Sequence, residues 1–197
     1  MKVKRIRLIY FSATNTTQTV VRRIGAAISK LLDIPVQEND FTLPKARKQE
    51  IFCQSDELAI VGVPVYAGRV PNKLLPYVRD AIHGSETLAV PVVLHGNRDY
   101  DDALIELRDV LESNGFRTMA GAAFVGEHSF SRILAAGRPD AEDLQLADAF
   151  ANQIVKKLER MQSLPEQPVV VKGNTPYRPY FAPKNAREYL KVKPVVS

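Results

Sequence analysis

Hydroxyl groups crowd the stretch Ser12-Ala-Thr-Asn-Thr-Thr17, where the apolar run Leu8-Ile-Tyr-Phe11 ends and a helical pattern begins. A helix N-terminus presents N–H groups without intrahelical acceptors and a partial positive charge. Ser12, Thr14, Thr16 and Thr17 add donors at a point already suited to an anion, so the chemistry favoured here is the binding of a phosphate monoester. A nucleoside-triphosphate loop would need a Lys and paired glycines, and a dinucleotide fold would need G-x-G-x-x-G; the stretch has neither. The same hydroxyls would also serve as a simple helix cap, so these six residues alone leave both readings open.

The hydrophobic pattern says which elements carry this turn. Val20, Val21, Ile24, Ile28, Leu31 and Leu32 recur at three- and four-residue spacing, which predicts a helix ending at Asp33-Ile-Pro35. Residues 36–41 read as a second strand and 42–56 as a polar connection of unassigned structure. Residues 57–65 form a continuous β-branched run, as in a strand covered on both faces, and 87–94 repeat it. Between them, 72–82 read as a helix with Pro76 awkward in its interior. Residues 101–113 form a third helix that stops at Asn114-Gly115, with Asp101 and Asp102 suited to its first turn. Residues 117–126 read as a small-residue strand, and Pro139-Asp140 with Asp143 opens a last helix whose face is Leu146, Phe150, Ile154, Val155 and Leu158. Strand and helix alternate throughout, which predicts an α/β fold: a doubly wound five-stranded parallel sheet, order 2-1-3-4-5, with helices on both faces.

In that topology the ligand crevice lies beyond the carboxyl ends of strands one and three. Three segments then share one rim: Ser12 to Thr17, Pro64-Val-Tyr-Ala-Gly-Arg69, and His95-Gly-Asn-Arg-Asp-Tyr100. Tyr66 and Tyr100 offer an aromatic for each side of a flat ring, and Gly68 and Gly96 allow close backbone approach. The candidate binding residues are Ser12, Ala13, Thr14, Asn15, Thr16 and Thr17 for a phosphate. For a ring of the isoalloxazine type they are Pro64, Val65, Tyr66, Ala67, Gly68, Arg69, Gly96, Asn97, Arg98, Tyr100 and Asp101.

Over roughly residues 3–161 the chain resembles the flavodoxins. Ser12-Ala-Thr-Asn-Thr-Thr17 is similar to their phosphate loop, usually S/T-x-T-G-x-T, with Asn15 in place of a Gly whose positive φ Asn tolerates best among ordinary residues. More narrowly, Gly62-Val-Pro-Val-Tyr-Ala-Gly-Arg-Val-Pro71 and Gly96-Asn-Arg-Asp-Tyr-Asp-Asp-Ala-Leu104 resemble the flavodoxin half of bacterial proteins that fuse such a domain to a ferredoxin. Gly126-Glu-His-Ser-Phe130, Gly137-Arg-Pro-Asp140 and the linker-like Val171-Lys-Gly-Asn-Thr-Pro-Tyr177 are similar to that subgroup too. The chain departs from it at Lys193-Pro-Val-Val-Ser197, about where the first cluster cysteine would be expected, and carries no ferredoxin module.

The resemblance implies FMN as cofactor and a one- or two-electron carrier serving redox partner proteins, a ferredoxin or a reductase among them, with no side chain acting as acid or base. It also implies that the Ala67-Gly68 backbone beside the flavin reorients on reduction. Flavodoxins commonly surround the flavin with acidic residues, whereas this chain places Arg69 and Arg98 on its ring loops, and the expected consequence is a less negative second reduction potential. The alternative is an NAD(P)H-dependent FMN or quinone reductase. A remote alternative is a non-redox regulatory module such as a phospho-receiver, which needs an acidic pair after strand one and an Asp ending strand three; the chain has Phe11-Ser12 and Val63-Pro64 there. No Cys follows the first strand, which disfavours a cysteine phosphatase.

With 197 residues and 45% hydrophobic content, the chain fits one domain, 1–164, followed by a Pro-rich basic tail, 165–197. The formal charge of +5 is local, since the tail holds six Lys or Arg against two Glu. No basic stripe interleaved with aromatics appears, so nucleic acid is not an expected partner. No apolar run approaches the roughly 20 residues of a membrane span, and Met1-Lys-Val-Lys-Arg-Ile-Arg7 leads directly into a strand; the expectation is a cytoplasmic protein without membrane insertion. The single cysteine, Cys53, excludes an internal disulfide and a cysteine-ligated iron–sulfur cluster, and its apolar neighbours Ile51-Phe52 suit burial rather than catalysis. His95, His128, Asp99, Asp101 and Asp102 match no metal-ligand spacing. In the tail, Val169, Val170, Tyr177, Tyr180 and Phe181 favour docking, on this fold or on a neighbouring subunit in an oligomer, against the alternative of a vestigial linker.

Overall fold

A computed structural model describes residues 3–131 and 133–180. Its main sheet is all parallel, in the order β2 (Val36–Asp40), β1 (Arg5–Tyr10), β4 (Glu57–Pro64), β6 (Thr87–His95), β7 (Phe116–Thr118), with β8 (Ala122–Val125) also paired to β6. The doubly wound α/β arrangement is therefore present, but the sheet has six strands rather than five. The fifth position is shared by two short strands along one edge of β6: Phe116–Thr118 pairs with its first residues and Ala122–Val125 with its last. The break falls where Met119 turns into the core, its N–H still donating to the Ala89 carbonyl at 3.0 Å.

Alternation along the strands sends side chains to two cores. Leu8, Tyr10, Leu58, Ile60, Leu88 and Val90 pack beneath α1 (Thr16–Leu32) and α4 (Ala141–Arg160). Ile9, Ala59, Val61, Val63, Ala89 and Val93 face α2 (Leu75–Ala81) and α3 (Ala103–Ser113). Because both faces are covered, β4 and β6 are buried along nearly their whole length, which is why their sequences read as unbroken apolar runs.

Two local expectations change. The helix predicted over 72–82 begins only at Leu75, so Pro76 occupies the first turn, where a missing N–H costs nothing. Its last residue, Ile82, instead starts β5 (Ile82–Gly84), which pairs with β3 (Ile51–Cys53) from the segment left unassigned. Ile51, Cys53 and Ile82 are buried, and Thr87 Oγ1 donates to the Cys53 carbonyl at 2.9 Å. Burial pushes the Cys53 thiol up to about 12, which leaves it protonated and structural.

After α4 the chain returns across α3. Val169 N–H donates to Thr118 Oγ1 at 3.1 Å, Arg108 donates to the Val169 carbonyl at 3.0 Å, and the Tyr177 hydroxyl reaches Asp109 at 2.6 Å. The tail residues 181–197, Phe181 included, lie outside the described residues. Among the described residues no helix is long and apolar enough to cross a membrane.

The position of α1 depends on Gly62, in β4. A Cβ there would collide with Val21 Cγ2 and come within 3.0 Å of Thr17 Cγ2, both on the inner face of the helix. Val21 is β-branched on a helix and cannot rotate away cheaply. The substitution Gly62→Ala should therefore lift the first turns of α1 and cost about 1–3 kcal/mol of stability, measured by denaturant unfolding. An unchanged midpoint would contradict the close packing of α1 on β4.

Candidate functional site

Parallel strands place the loops after β1, β4, β6 and β8 at one rim, and they enclose a cleft of about 620 Å³. The first wall is the turn before α1. Asn15 takes the left-handed conformation, φ 64°, and its carbonyl accepts from Thr19 N–H at 2.9 Å and Thr19 Oγ1 at 2.8 Å, starting the helix. Ser12 Oγ accepts the Gln18 N–H at 3.0 Å, while Ser12 N–H donates to Thr42 Oγ1 at 2.9 Å. Both residues thus shape the turn from outside the cleft. Ala13, Thr14, Thr16 and Thr17 line it, with the Thr14 and Thr16 hydroxyls 3.3 Å apart. The first-turn N–H groups of α1 have no carbonyl one helical turn back, and no acidic residue occupies that turn to compete for an anion.

The second wall is a tight turn. Tyr66 and Arg69 exchange backbone hydrogen bonds at 3.0 and 3.2 Å, and the two residues between them, Ala67 and Gly68, both have positive φ, 52° and 80°. Pro64, Val65, Tyr66, Ala67 and Gly68 line the cleft, with Tyr66 43% exposed at its mouth. Arg69 does not. Its guanidinium turns away beneath the loop, donating to both Glu106 oxygens at 2.8 and 2.6 Å and lying 4.8 Å from the Tyr177 ring and 4.2 Å from that of Tyr180. With its charge paired to Glu106 and turned from the cleft, Arg69 does not stand where the expected effect on the potential would need it. Arg98 does face the cleft, but it is exposed and paired with Asp101.

The third wall, after β6, differs more from expectation. Gly96, Arg98 and Asp99 line the cleft, whereas Asn97, Tyr100 and Asp101 do not. The Tyr100 ring packs against His95 at a centroid distance of 5.6 Å and beneath Lys172, whose Nζ lies 5.0 Å from it. Asp99 accepts Lys172 Nζ on both oxygens at 2.9 Å, and that ammonium, with the N–H groups of Asp101 and Tyr100, holds the carboxyl at about 2. Asp102, read as a first-turn charge, is instead turned to the segment after α4. Its burial opposes ionisation, but hydrogen bonds from Arg178 N–H and Asn174 outweigh this and hold its pKa below the ordinary range.

A fourth wall had no counterpart in the three-loop reading. Gly126, Glu127, His128, Ser129 and Phe130 also line the cleft, and the absence of a Cβ at Gly96 admits this loop, since one would lie 2.6 Å from His128 Cδ2. Phe130 lines the cleft and is 97% exposed, so the second aromatic that the cleft offers besides Tyr66 is on this loop rather than at Tyr100. The signal was present: the loop follows a strand of the same parallel sheet and so opens at the same rim. His95 also lines the cleft. Its Nδ1 is buried with no hydrogen-bond partner among the described residues, and burial lowers its pKa, keeping the ring neutral near neutral pH. Among the described residues no group of three or more His, Cys, Asp or Glu is placed to hold a metal ion.

Neither a family model nor a curated protein matches this sequence. Solved structures do match its fold. A flavodoxin from the domain Archaea has a TM-score of 0.58 at 15% identity, covering 79% of this chain and 99% of that one. Oxidised flavodoxin 2 from Bacillus cereus has a TM-score of 0.52 at 15% identity, covering 80% and 99%. An apo NADH:FMN oxidoreductase has a TM-score of 0.54 at 18% identity, covering 84% and 92%. At such identities the likeness is one of architecture: the chain has a flavodoxin-like fold.

Proposed function

We propose that the protein binds FMN in the cleft at the carboxyl ends of β1, β4, β6 and β8 and carries electrons, one or two at a time, between partner redox proteins. The observation that carries this reading is the turn before α1: a helix N-terminus whose first-turn N–H groups have no carbonyl one turn back, with threonines lining the cleft and no acidic residue in that turn, at the wall of a cleft of about 620 Å³. The likeness to flavodoxins and to an NADH:FMN oxidoreductase supports it.

In this reading Ala13, Thr14, Thr16 and Thr17 hold the phosphate, with Ser12 and Asn15 fixing the turn. Pro64 to Gly68 with Gly96, Arg98 and Asp99 border the ring, Tyr66 stands against one face and the loop carrying His128 and Phe130 against the other. FMN supplies the redox centre; the chain binds it, excludes water from most of its surface and leaves an edge at Tyr66 and Phe130 open to a partner. The partners in this reading include a ferredoxin or a reductase, as the narrower resemblance to flavodoxin–ferredoxin fusions implies.

The test is to incubate purified protein with FMN, remove free flavin by gel filtration, and follow absorbance during stepwise anaerobic reduction and on addition of NADH or NADPH. Retained flavin that accepts electrons from a strong reductant but reacts slowly with either nicotinamide supports the carrier. Rapid nicotinamide oxidation would favour the reductase alternative, and absence of retained flavin would overturn the reading.

The phosphate cup has its own expected outcome. Hydrogen bonds to a charged group are worth more than neutral ones, so Thr14→Ala and Thr16→Ala should each weaken FMN binding about tenfold or more while leaving riboflavin binding unchanged, both measured by flavin fluorescence titration. Equal losses for the two flavins would place the phosphate elsewhere.

A further inference from the structure

Beyond this cleft, the segment after α4 grips two of its walls from behind. The Asp102 carboxylate, on a residue 2% exposed, accepts Asn174 N–H at 2.8 Å and Asn174 Nδ2 at 3.1 Å on Oδ1, and Arg178 N–H at 2.7 Å on Oδ2. The backbone N–H of the same residue donates to the Gly68 carbonyl at 3.0 Å. One residue therefore joins the returning segment, the loop after β6 and the turn after β4.

Other contacts act on the same two loops. Lys172 holds Asp99, which lines the cleft, and the Arg178 guanidinium holds Asp101, which also binds the cleft-facing Arg98. Arg69 donates to the Arg178 carbonyl, and the Tyr180 hydroxyl donates to the Val70 carbonyl at 2.9 Å. The seating is close. A Cβ at Gly68 would collide with Asp101 and lie 2.8 Å from Arg178 Nη1, and one at Gly173 would lie 2.7 Å from Ile105 Cβ in the first turn of α3. In the loop being held, Asn97 and Asp101 both have positive φ, 60° and 41°, and Asp99 Oδ1 accepts the N–H groups of Tyr100 and Asp101.

Resting on the flavin reading above, we infer that residues 165–180 form a strap that belongs to the cofactor site: its docking positions the two ring-side loops, so strap docking and flavin binding are coupled. Lys172, Asn174 and Arg178 are positioning residues, acting on the ring through Asp99, Asp101 and Asp102. Exposed ion pairs contribute little singly, but here Lys172–Asp99 and Arg178–Asp101 flank the buried Asp102 clamp on the same loop. Coupling between two binding events is reciprocal, so a docked strap tightens the flavin site and a bound flavin tightens the strap. A loop that is only partly in its binding conformation lowers apparent affinity by that fraction.

The test combines variants with exchange measurements on the full chain. The double variant Lys172→Ala, Arg178→Ala should bind FMN about tenfold more weakly, with an equal loss for riboflavin because the ring side rather than the phosphate cup is affected. Lys172→Arg should retain wild-type affinity, since it keeps the charge opposite Asp99. In the wild type, FMN should slow amide hydrogen exchange at Asn174 and Arg178, a response that a strap serving stability alone would not give. If the wild type binds FMN but the double variant binds it equally well and exchange at those two amides is unaffected, the strap is not part of the site and the inference falls alone. If the wild type binds no flavin at all, the flavin reading falls and takes the inference with it.

Discussion

Parallel pairing of β1, β4 and β6 is the constraint from which the rest of the site follows. When every strand of a sheet points the same way, every loop that leaves a carboxyl end opens at one rim, and segments distant in sequence become neighbours. The packing of α1 against Gly62 then brings a helix N-terminus to that rim, and the tight turn at Ala67-Gly68 brings backbone close to it. The site's residues are contributed by loops, but their positions are set by the buried strands beneath them.

A second constraint is electrostatic and works from the outer side. Arg69 and Glu106 form a buried ion pair capped by Tyr177 and Tyr180, and Asp102 is a buried carboxylate satisfied by main-chain and side-chain N–H groups. Neither would be tolerable in an apolar environment without partners. The segment after α4 supplies many of them, Asn174, Arg178 and Tyr180 among them.

Much of this was legible in the sequence where a pattern is local. The helix after Thr16 showed its stripe, β4 and β6 showed their two-sided burial, and the hydroxyl-rich turn marked where the helix begins. What could not be read was direction and partnership at long range. Arg69 lies on the expected loop, yet its side chain turns to Glu106 and to tyrosines more than a hundred residues away; sequence places a residue on a loop without saying which side of the loop it faces. Tyr100 packs at a tilt against His95 for the same reason. The split into β7 and β8 was hidden because Ala120, Gly121, Ala122 and Ala123 give no periodic signal, and β3 was hidden because three residues are too few to show one. The loop carrying His128 and Phe130, by contrast, was accessible to the topological rule that found the other three.

The central claim is that the turn before α1 receives the phosphate and that the ring lies between Tyr66 and the loop carrying His128 and Phe130. A crystal structure of the protein with FMN tests it most directly. The account predicts the phosphate within hydrogen-bonding distance of the Thr14 and Thr16 hydroxyls and the backbone N–H groups of Ala13 to Thr17, with the ring in the cleft lined by Tyr66, Gly68, Gly96 and His128. A phosphate directed into solvent, or a flavin bound away from this cleft, would contradict it.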